Sequence, residues 1–221
     1  MRTLLLLVVF PVICAAQNSG KITYSISDID FDNKSKNADI ETSVASAKSQ
    51  TFTLEFSDNL SHFFYNGGMD SADDFPTKLA RASFTSASDY YQDKTKKLQI
   101  ETTSDGTLVQ KNLEPLKWQL TSDTKKIDKY QCYKATYTYT FTTRAQKTGT
   151  RTVVAWFAPE LPFPYDPKAY SGLPGLILEL KDGAATYLAT KIAISEKALP
   201  IDWPRGKTIN EQDYLEKINK Q

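Results

Sequence analysis

The stretch from Tyr130 to Thr142 constrains the fold more than any other part of this chain. Tyr133, Ala135, Tyr137, Tyr139 and Phe141 fall on alternate positions, and Cys132, Lys134, Thr136, Thr138 and Thr140 fill the positions between them. Alternation at a period of two places each set on one face of a strand. Aromatic and β-branched side chains fit such a pleated surface. A strand of this length cannot pair its own backbone N–H and C=O groups, so it requires neighbours in a sheet.

Those neighbours are legible on both sides. Lys21 to Ile29 alternates with Ile22, Tyr24 and Ile26 on one face, and Gln50 to Phe56 with Phe52, Leu54 and Phe56. Ser61 to Tyr65 returns after a turn at Asp58-Asn59. Tyr90 to Gln92, Lys97 to Thr103, Thr107 to Leu113, Trp118 to Thr121, Arg151 to Phe157, Leu176 to Lys181 and Thr186 to Ser195 complete the strand set. Asp105-Gly106 and Asp182-Gly183 are hairpin turns, because such pairs accept the positive φ that tight hairpins need. Asp123 to Lys129 reads as a charged turn, and Arg144 to Gly149 as another. Residues 30–49 read as a loop with one helical turn near Ile40 to Ala47. A short helix is expected around Thr77 to Ala82, and Asn210 caps a C-terminal helix reaching about Asn219.

Pro159, Pro162, Pro164 and Pro167 cannot donate to a ladder, so this segment crosses between strands as an ordered loop. Leu173-Pro174-Gly175-Leu176 fits a type II turn, with Gly175 at positive φ. The expected fold is mostly β. It is a single antiparallel domain over residues 17–221, built as a strongly curved sheet or half-barrel with a short C-terminal helix. A β-sandwich is the alternative.

The N-terminus reads as a secretory signal. Arg2 precedes the apolar run Leu4 to Ile13, and Cys14-Ala15-Ala16 offers small residues for cleavage between Ala16 and Gln17. Ile13 before Cys14 argues against a lipoprotein site. The expected location is outside the inner membrane, in the periplasm or on the outer cell surface. No transmembrane segment is expected in the mature chain. The chain holds 27 basic and 26 acidic residues. Removing Arg2 balances them, which gives no electrostatic reason for a nucleic-acid partner. Cys132 would then be the sole cysteine, a possible free thiol that cannot form an internal disulfide.

Most catalytic chemistry lacks its parts. His62 is the only histidine, so a nucleophile–imidazole pair has one candidate base. One histidine and one cysteine cannot build the usual zinc sets. Asp28, Asp30 and Asp32, and likewise Asp70, Asp73 and Asp74, lack the glycine and terminal glutamate of a calcium loop. Glu101, Glu160 and Glu179 are available for carboxylate chemistry but nothing marks them. No metal or cofactor is expected. The candidate ligand platform is aromatic: Trp118, Tyr133, Tyr137, Tyr139 and Trp156. The competing reading makes these rings core. Arg144, Lys147 and Arg151 form a basic hairpin tip.

Several linked blocks carry a resemblance. Trp118 is followed by Thr124-Lys125-Lys126-Ile127, then Tyr130-Gln131-Cys132-Tyr133-Lys134-Ala135, Ala155-Trp156-Phe157 and Glu160-Leu161-Pro162. Tyr170-Ser171 leads into Gly172-Leu173-Pro174-Gly175-Leu176-Ile177. The segment from about Tyr90 to Leu180 resembles the GLPGLI family in the order and spacing of these blocks. Asp166-Pro167 departs from the family's usual Gly-Pro, and Thr142 to Thr150 is longer than usual. The resemblance implies an exported envelope protein of Gram-negative bacteria without an assigned activity. The expected function is a non-enzymatic binding or accessory protein that holds a small apolar ligand, or docks on an outer-membrane receptor or another envelope protein. The alternatives are a hydrolase using carboxylates or Cys132, and a structural or adhesive surface protein.

Overall fold

The computed structural model describes residues 19–31, 37–67, 74–142 and 147–219. The signal segment with its cut at Ala16 and Gln17 lies outside the described residues, as do Asp32, Asp70, Asp73 and Arg144. The described chain runs β1 (Ser19–Ile29), α1 (Ala38–Ser49), β2 (Thr51–Ser57), β3 (Leu60–Tyr65), α2 (Phe75–Ser83), β4 (Asp89–Asp93) and β5 (Leu98–Thr102). It continues through β6 (Leu108–Asn112), β7 (Gln119–Ile127), β8 (Tyr130–Thr142), β9 (Thr148–Ala158), β10 (Leu176–Asp182), β11 (Ala185–Ser195), β12 (Thr208–Asn210) and α3 (Glu211–Asn219).

All twelve strands belong to one sheet, in the order β12-β6-β5-β4-β3-β2-β1-β11-β10-β9-β8-β7. The sheet is not closed into a barrel. One sheet excludes the sandwich alternative. Every pairing is antiparallel except β12 with β6, which is parallel, so the expectation of a purely antiparallel domain needs that correction.

Curvature follows from the contacts of the crossing loop. β4 and β8 stand fourth and eleventh in the order, seven intervals apart. On a flat sheet that is roughly 34 Å at ~4.8 Å per interval. Yet Lys168 feels Tyr90 of β4, while Tyr170, two residues on, reaches Tyr139 of β8. The sheet therefore bends around the loop. The concave face is the apolar one: Ile22 and Tyr24 of β1, Phe52, Leu54 and Phe56 of β2, Phe63 of β3, Leu180 of β10 and Tyr187 of β11 are buried. A face left largely open to water explains the alternation in β1, while in β2 Thr53 and Ser57 on that face are covered as well. α1 and α2 add Ala47 and Ala80 to the same cluster.

Three local expectations differ from the structure. Residues 38–49 form a full helix rather than a loop with one turn. Asn37 caps it by accepting from the N–H groups of Asp39 and Ile40, and its buried positions are the small Ser43 and Ala47, too weak an apolar stripe to see in sequence. β7 runs through the expected charged turn to Ile127. It is an edge strand exposed over most of its length, so Asp123 and Lys126 keep their charges in water without breaking it. Gly175 is not at positive φ, so the type II turn is wrong; Gly172 is, at φ 110°. Gly175 is needed for a close approach, since a Cβ there would lie 2.4 Å from the Ala158 carbonyl oxygen.

Candidate functional site

The loop from Pro159 to Gly175 occupies the concavity, and its fastenings come from far along the chain. Just past the loop, at the start of β10, the Ile177 carbonyl accepts from Tyr24 Oη at 2.6 Å. Tyr165 stacks on Phe56 at 4.6 Å and donates its hydroxyl to the Asp58 carbonyl. Trp118 Nε1 donates to the Ser171 carbonyl at 3.0 Å, and the Leu116 N–H to the same oxygen at 3.1 Å. A proline-rich segment with few N–H donors is suited to being held this way, by donors from its surroundings.

The loop carries charge into the core. Lys168 pairs with Asp182 of β10 at 2.5 Å, both side chains well buried. Burial alone would depress the Lys168 ammonium; the Tyr187 hydroxyl and the Asp182 carboxylate outweigh it and hold the pKa above its ordinary value. Burial likewise pushes Asp182 up, but Lys168 wins and holds it low. Asp166 is different. It is 3% exposed, and burial pushes its carboxyl up to about 8 against the opposing pull of Lys94, Gln92 and the Tyr170 N–H. Lys94 is pushed down to about 8 by burial, with Asp166 opposing. Gln92 lies near enough to influence Asp166, yet no full hydrogen bond forms: Gln92 Nε2 and Oε1 and Asp166 Oδ1 are left without partners. Buried polar atoms in that condition are rare in folded proteins.

Four of the five aromatic candidates share the concave side of the β7–β8–β9 wing. The register opposes Leu120 to Ala135, Tyr133 to Phe157 and Tyr137 to Val153, which puts these residues on one face. Trp118 packs on Tyr137 at 5.8 Å, Tyr137 on Tyr139 at 5.8 Å and Tyr139 on Phe141 at 6.3 Å. Trp118 also meets Tyr170 of the loop at 6.3 Å. Along the wing Leu120 is 64% exposed, Tyr133 42% and Phe141 36%. Trp156 is not part of this set. It opposes Lys134 on the convex face, where Lys125 Nζ sits 4.4 Å from its ring centre.

The other candidates are engaged in structure. Cys132 is buried and its Sγ donates to the Tyr130 carbonyl at 3.8 Å. Burial pushes the thiol up to about 11, which keeps it protonated and weakly nucleophilic at neutral pH. His62 is stacked between Phe64 and Tyr91 at 4.4 and 3.9 Å, with Nε2 4.0 Å from Asp89. The ring and ion contacts of His62 go to Phe64, Tyr91 and Asp89 and the Cys132 thiol goes to Tyr130, so the two make no dyad. Glu101 pairs with Lys111, and Glu179 with Lys125. Arg151 of the basic tip lies 5.3 Å from the Phe141 ring and 3.8 Å from Asp182. Among the described residues no group of three or more His, Cys, Asp or Glu side chains could hold a metal. Among the described residues no helix is long and apolar enough to cross a membrane.

The sequence reading missed Gln92, Lys94, Asp166, Lys168 and Asp182 as a group. The available signal was Asp166 and Lys168, two opposite charges flanking Pro167 in a stretch otherwise rich in proline and aromatic rings. Of the motif residues, Leu173, Leu176 and Ile177 are core, while Pro174 stays exposed on the loop.

A family model described as a protein of unknown function (Porph_ging) matches residues 118–179, well under half of the chain. No curated protein matches. Two solved structures share the fold: PNGF-II in a P21 space group, with 14% identity, TM-score 0.54 and 93% of this chain covered, and PNGF-II in a C2 space group, with 16% identity, TM-score 0.55 and 92% covered. The chain spans about a third of the length of each, 34% and 33% respectively.

Proposed function

We propose that this chain is an exported, non-enzymatic binding or accessory domain that docks another envelope protein on the concave face of its β7–β8–β9 wing. The observation that carries the proposal is the row of large side chains along one face of β7 and β8, on which Leu120, Tyr133 and Phe141 remain exposed beside the half-buried Tyr137 and Tyr139. Large apolar side chains grouped at a sheet edge mark interaction surfaces, and tyrosines offer broad contact at low entropic cost. Lys117 and Lys126 lie on or beside the same edge, both outward-facing, which favours an acidic partner segment.

The crossing loop fills the centre of the concavity, so the wing, rather than an enclosed bowl, is the accessible platform. The recurrence of the fold as a third of a longer chain supports a role as one module among others. The GLPGLI resemblance and the N-terminal apolar run support the envelope location and an outer-membrane receptor or similar partner.

The test is photocrosslinking in the native envelope from a probe at Tyr133 or, as control, at Thr138 on the exposed opposite face. The expected result is one adduct from Tyr133 and none from Thr138. The purified partner should then lose binding to the L120D/Y133A variant at unchanged Tm. Equal adducts from both faces, or binding that survives the double substitution, would refute the docking surface.

A further inference from the structure

A second site lies away from the wing, where three segments meet. The turn Lys94–Lys97 joins β4 to β5, the segment Leu113–Pro115 follows β6, and the crossing loop contributes Pro164, Ser171 and Gly172. Together they enclose a pocket of about 260 Å³. The walls are tied to one another. Leu113 N–H donates to the Lys97 carbonyl at 2.9 Å, Ser171 Oγ to the Glu114 carbonyl at 3.2 Å, and Leu116 N–H to the Ser171 carbonyl at 3.1 Å. Gly172 permits the closure: at φ 110° a Cβ would sit 3.1 Å from the Leu116 backbone nitrogen and oxygen. A pocket fastened in this way exists before any ligand arrives.

Its wall contains a half-buried cation with no carboxylate in direct contact among the described residues. Lys94 Nζ donates to the Pro164 carbonyl and lies 3.8 Å from the centre of the Tyr165 ring. Among the described residues no carboxylate pairs with it. The nearest acid acting on it is Asp166, which lies deeper and whose Oδ1 has no partner. Burial pushes that carboxyl up to about 8, which weakens its charge opposite Lys94 at neutral pH. Glu114 and Lys97 also line the pocket and offset each other, so it keeps a net positive charge.

We propose that this pocket binds a small organic anion, a carboxylate carried on a short aliphatic or aromatic body. Lys94 is its counter-ion, and Leu113, Pro115 and Pro164 receive its carbon body. At ~30 Å³ per water-sized atom the volume admits roughly nine non-hydrogen atoms, the size of hexanoate or benzoate. A charge-assisted contact at the wall and apolar carbon elsewhere together select such a molecule over an alcohol or a divalent anion.

The test is titration of the mature protein with sodium hexanoate and, in parallel, with hexanol, followed by amide shifts and calorimetry at pH 6.5. The expected result is a saturable single site for hexanoate, with hexanol weaker by roughly tenfold or more, about 1.4 kcal/mol. Lys94→Met should bring hexanoate down to the hexanol level, while Lys97→Met changes it less than about threefold. Should Lys94→Met fail to fold, Leu113→Trp fills the pocket with the ammonium kept, and must also abolish binding. The assignment falls if no carboxylate from acetate to decanoate saturates, if hexanol binds as tightly as hexanoate, or if binding survives both variants. These outcomes are independent of the wing, where Leu120→Asp should leave hexanoate binding unchanged.

Discussion

Asp166 sets an unusual pH dependence of stability. Burial carries its carboxyl from an ordinary 3.8 up to about 8, the only upward-shifted carboxyl among the described residues. Between those values the unfolded chain releases the proton and the folded chain keeps it. The folded state then binds more protons, so the Asp166 contribution to stability falls as pH rises from about 4 to about 8 and changes no further above. About four units at ~1.36 kcal/mol each set a ceiling of ~5.5 kcal/mol. Water entering beside the carboxylate once it ionises reduces that figure. A surviving ~2 kcal/mol would lower Tm by roughly 4–8 °C in a domain of this size. The acids held low, Asp182 and Asp105 among them, lose their stabilisation below their ordinary values and leave this window clean. Asp166→Asn is isosteric, does not titrate, and keeps an acceptor for the Tyr170 N–H. Its Tm should be nearly flat from pH 5 to 8, and it should exceed the parent's at pH 8 by roughly the amount the parent loses. Calorimetric scans of both proteins across that range decide the matter. A parent Tm that stays level or rises, or a variant that retains the parent's slope, would refute the reasoning.

Other perturbations have equally direct readouts. Gly175→Val should cost about 3 kcal/mol or more, because its Cβ would meet the Ala158 carbonyl at 2.4 Å; an unchanged denaturant midpoint would exclude that contact. Lys168→Met strands a buried Asp182 carboxylate and should cost about 3–5 kcal/mol, with part recovered in the Lys168→Met/Asp182→Asn pair. Cys132 should resist thiol reagents in the native protein and react at the rate of global unfolding, and Cys132→Ser should cost about 1–3 kcal/mol by urea titration. Fast native labelling would overturn its burial.

Much of the sheet was legible because its two faces differ. Ile22, Tyr24, Phe52, Leu54 and Phe56 are apolar at every second position, and each is fully buried. Asp105-Gly106 and Asp182-Gly183 are turns with glycine at positive φ, as their chemistry demands. The failures have physical causes too. α1 buries only a serine and an alanine, so it lacks a stripe to detect. β7 is charged because its edge faces water, and charge in sequence reads as turn. The Leu173–Leu176 turn was inferred from the residues that usually build one. Here the glycine serves contact with a backbone from another strand, information no local pattern holds.

The site divides along the same line. The tyrosines of β8 were visible since alternation reveals which side chains share a face, and four of five candidates do share one. Trp156 failed on register: it opposes Lys134, and only the β8–β9 pairing decides which face that is. The charged residues of the crossing loop were invisible for a deeper reason. Lys168 finds Asp182 across a strand hairpin's length of chain, and Lys94 reaches Pro164 across a still longer one. Those meetings exist because one sheet curves until its fourth and eleventh strands approach the same loop. A curved sheet around an apolar loop would be stable with neutral residues at these places, since replacing a buried ion pair by apolar side chains is often neutral or better. That Lys94 nonetheless sits there, at the pocket wall with no carboxylate in direct contact and with the deeper Asp166 short of its full set of partners, is the physical reason to look for the anion in that pocket.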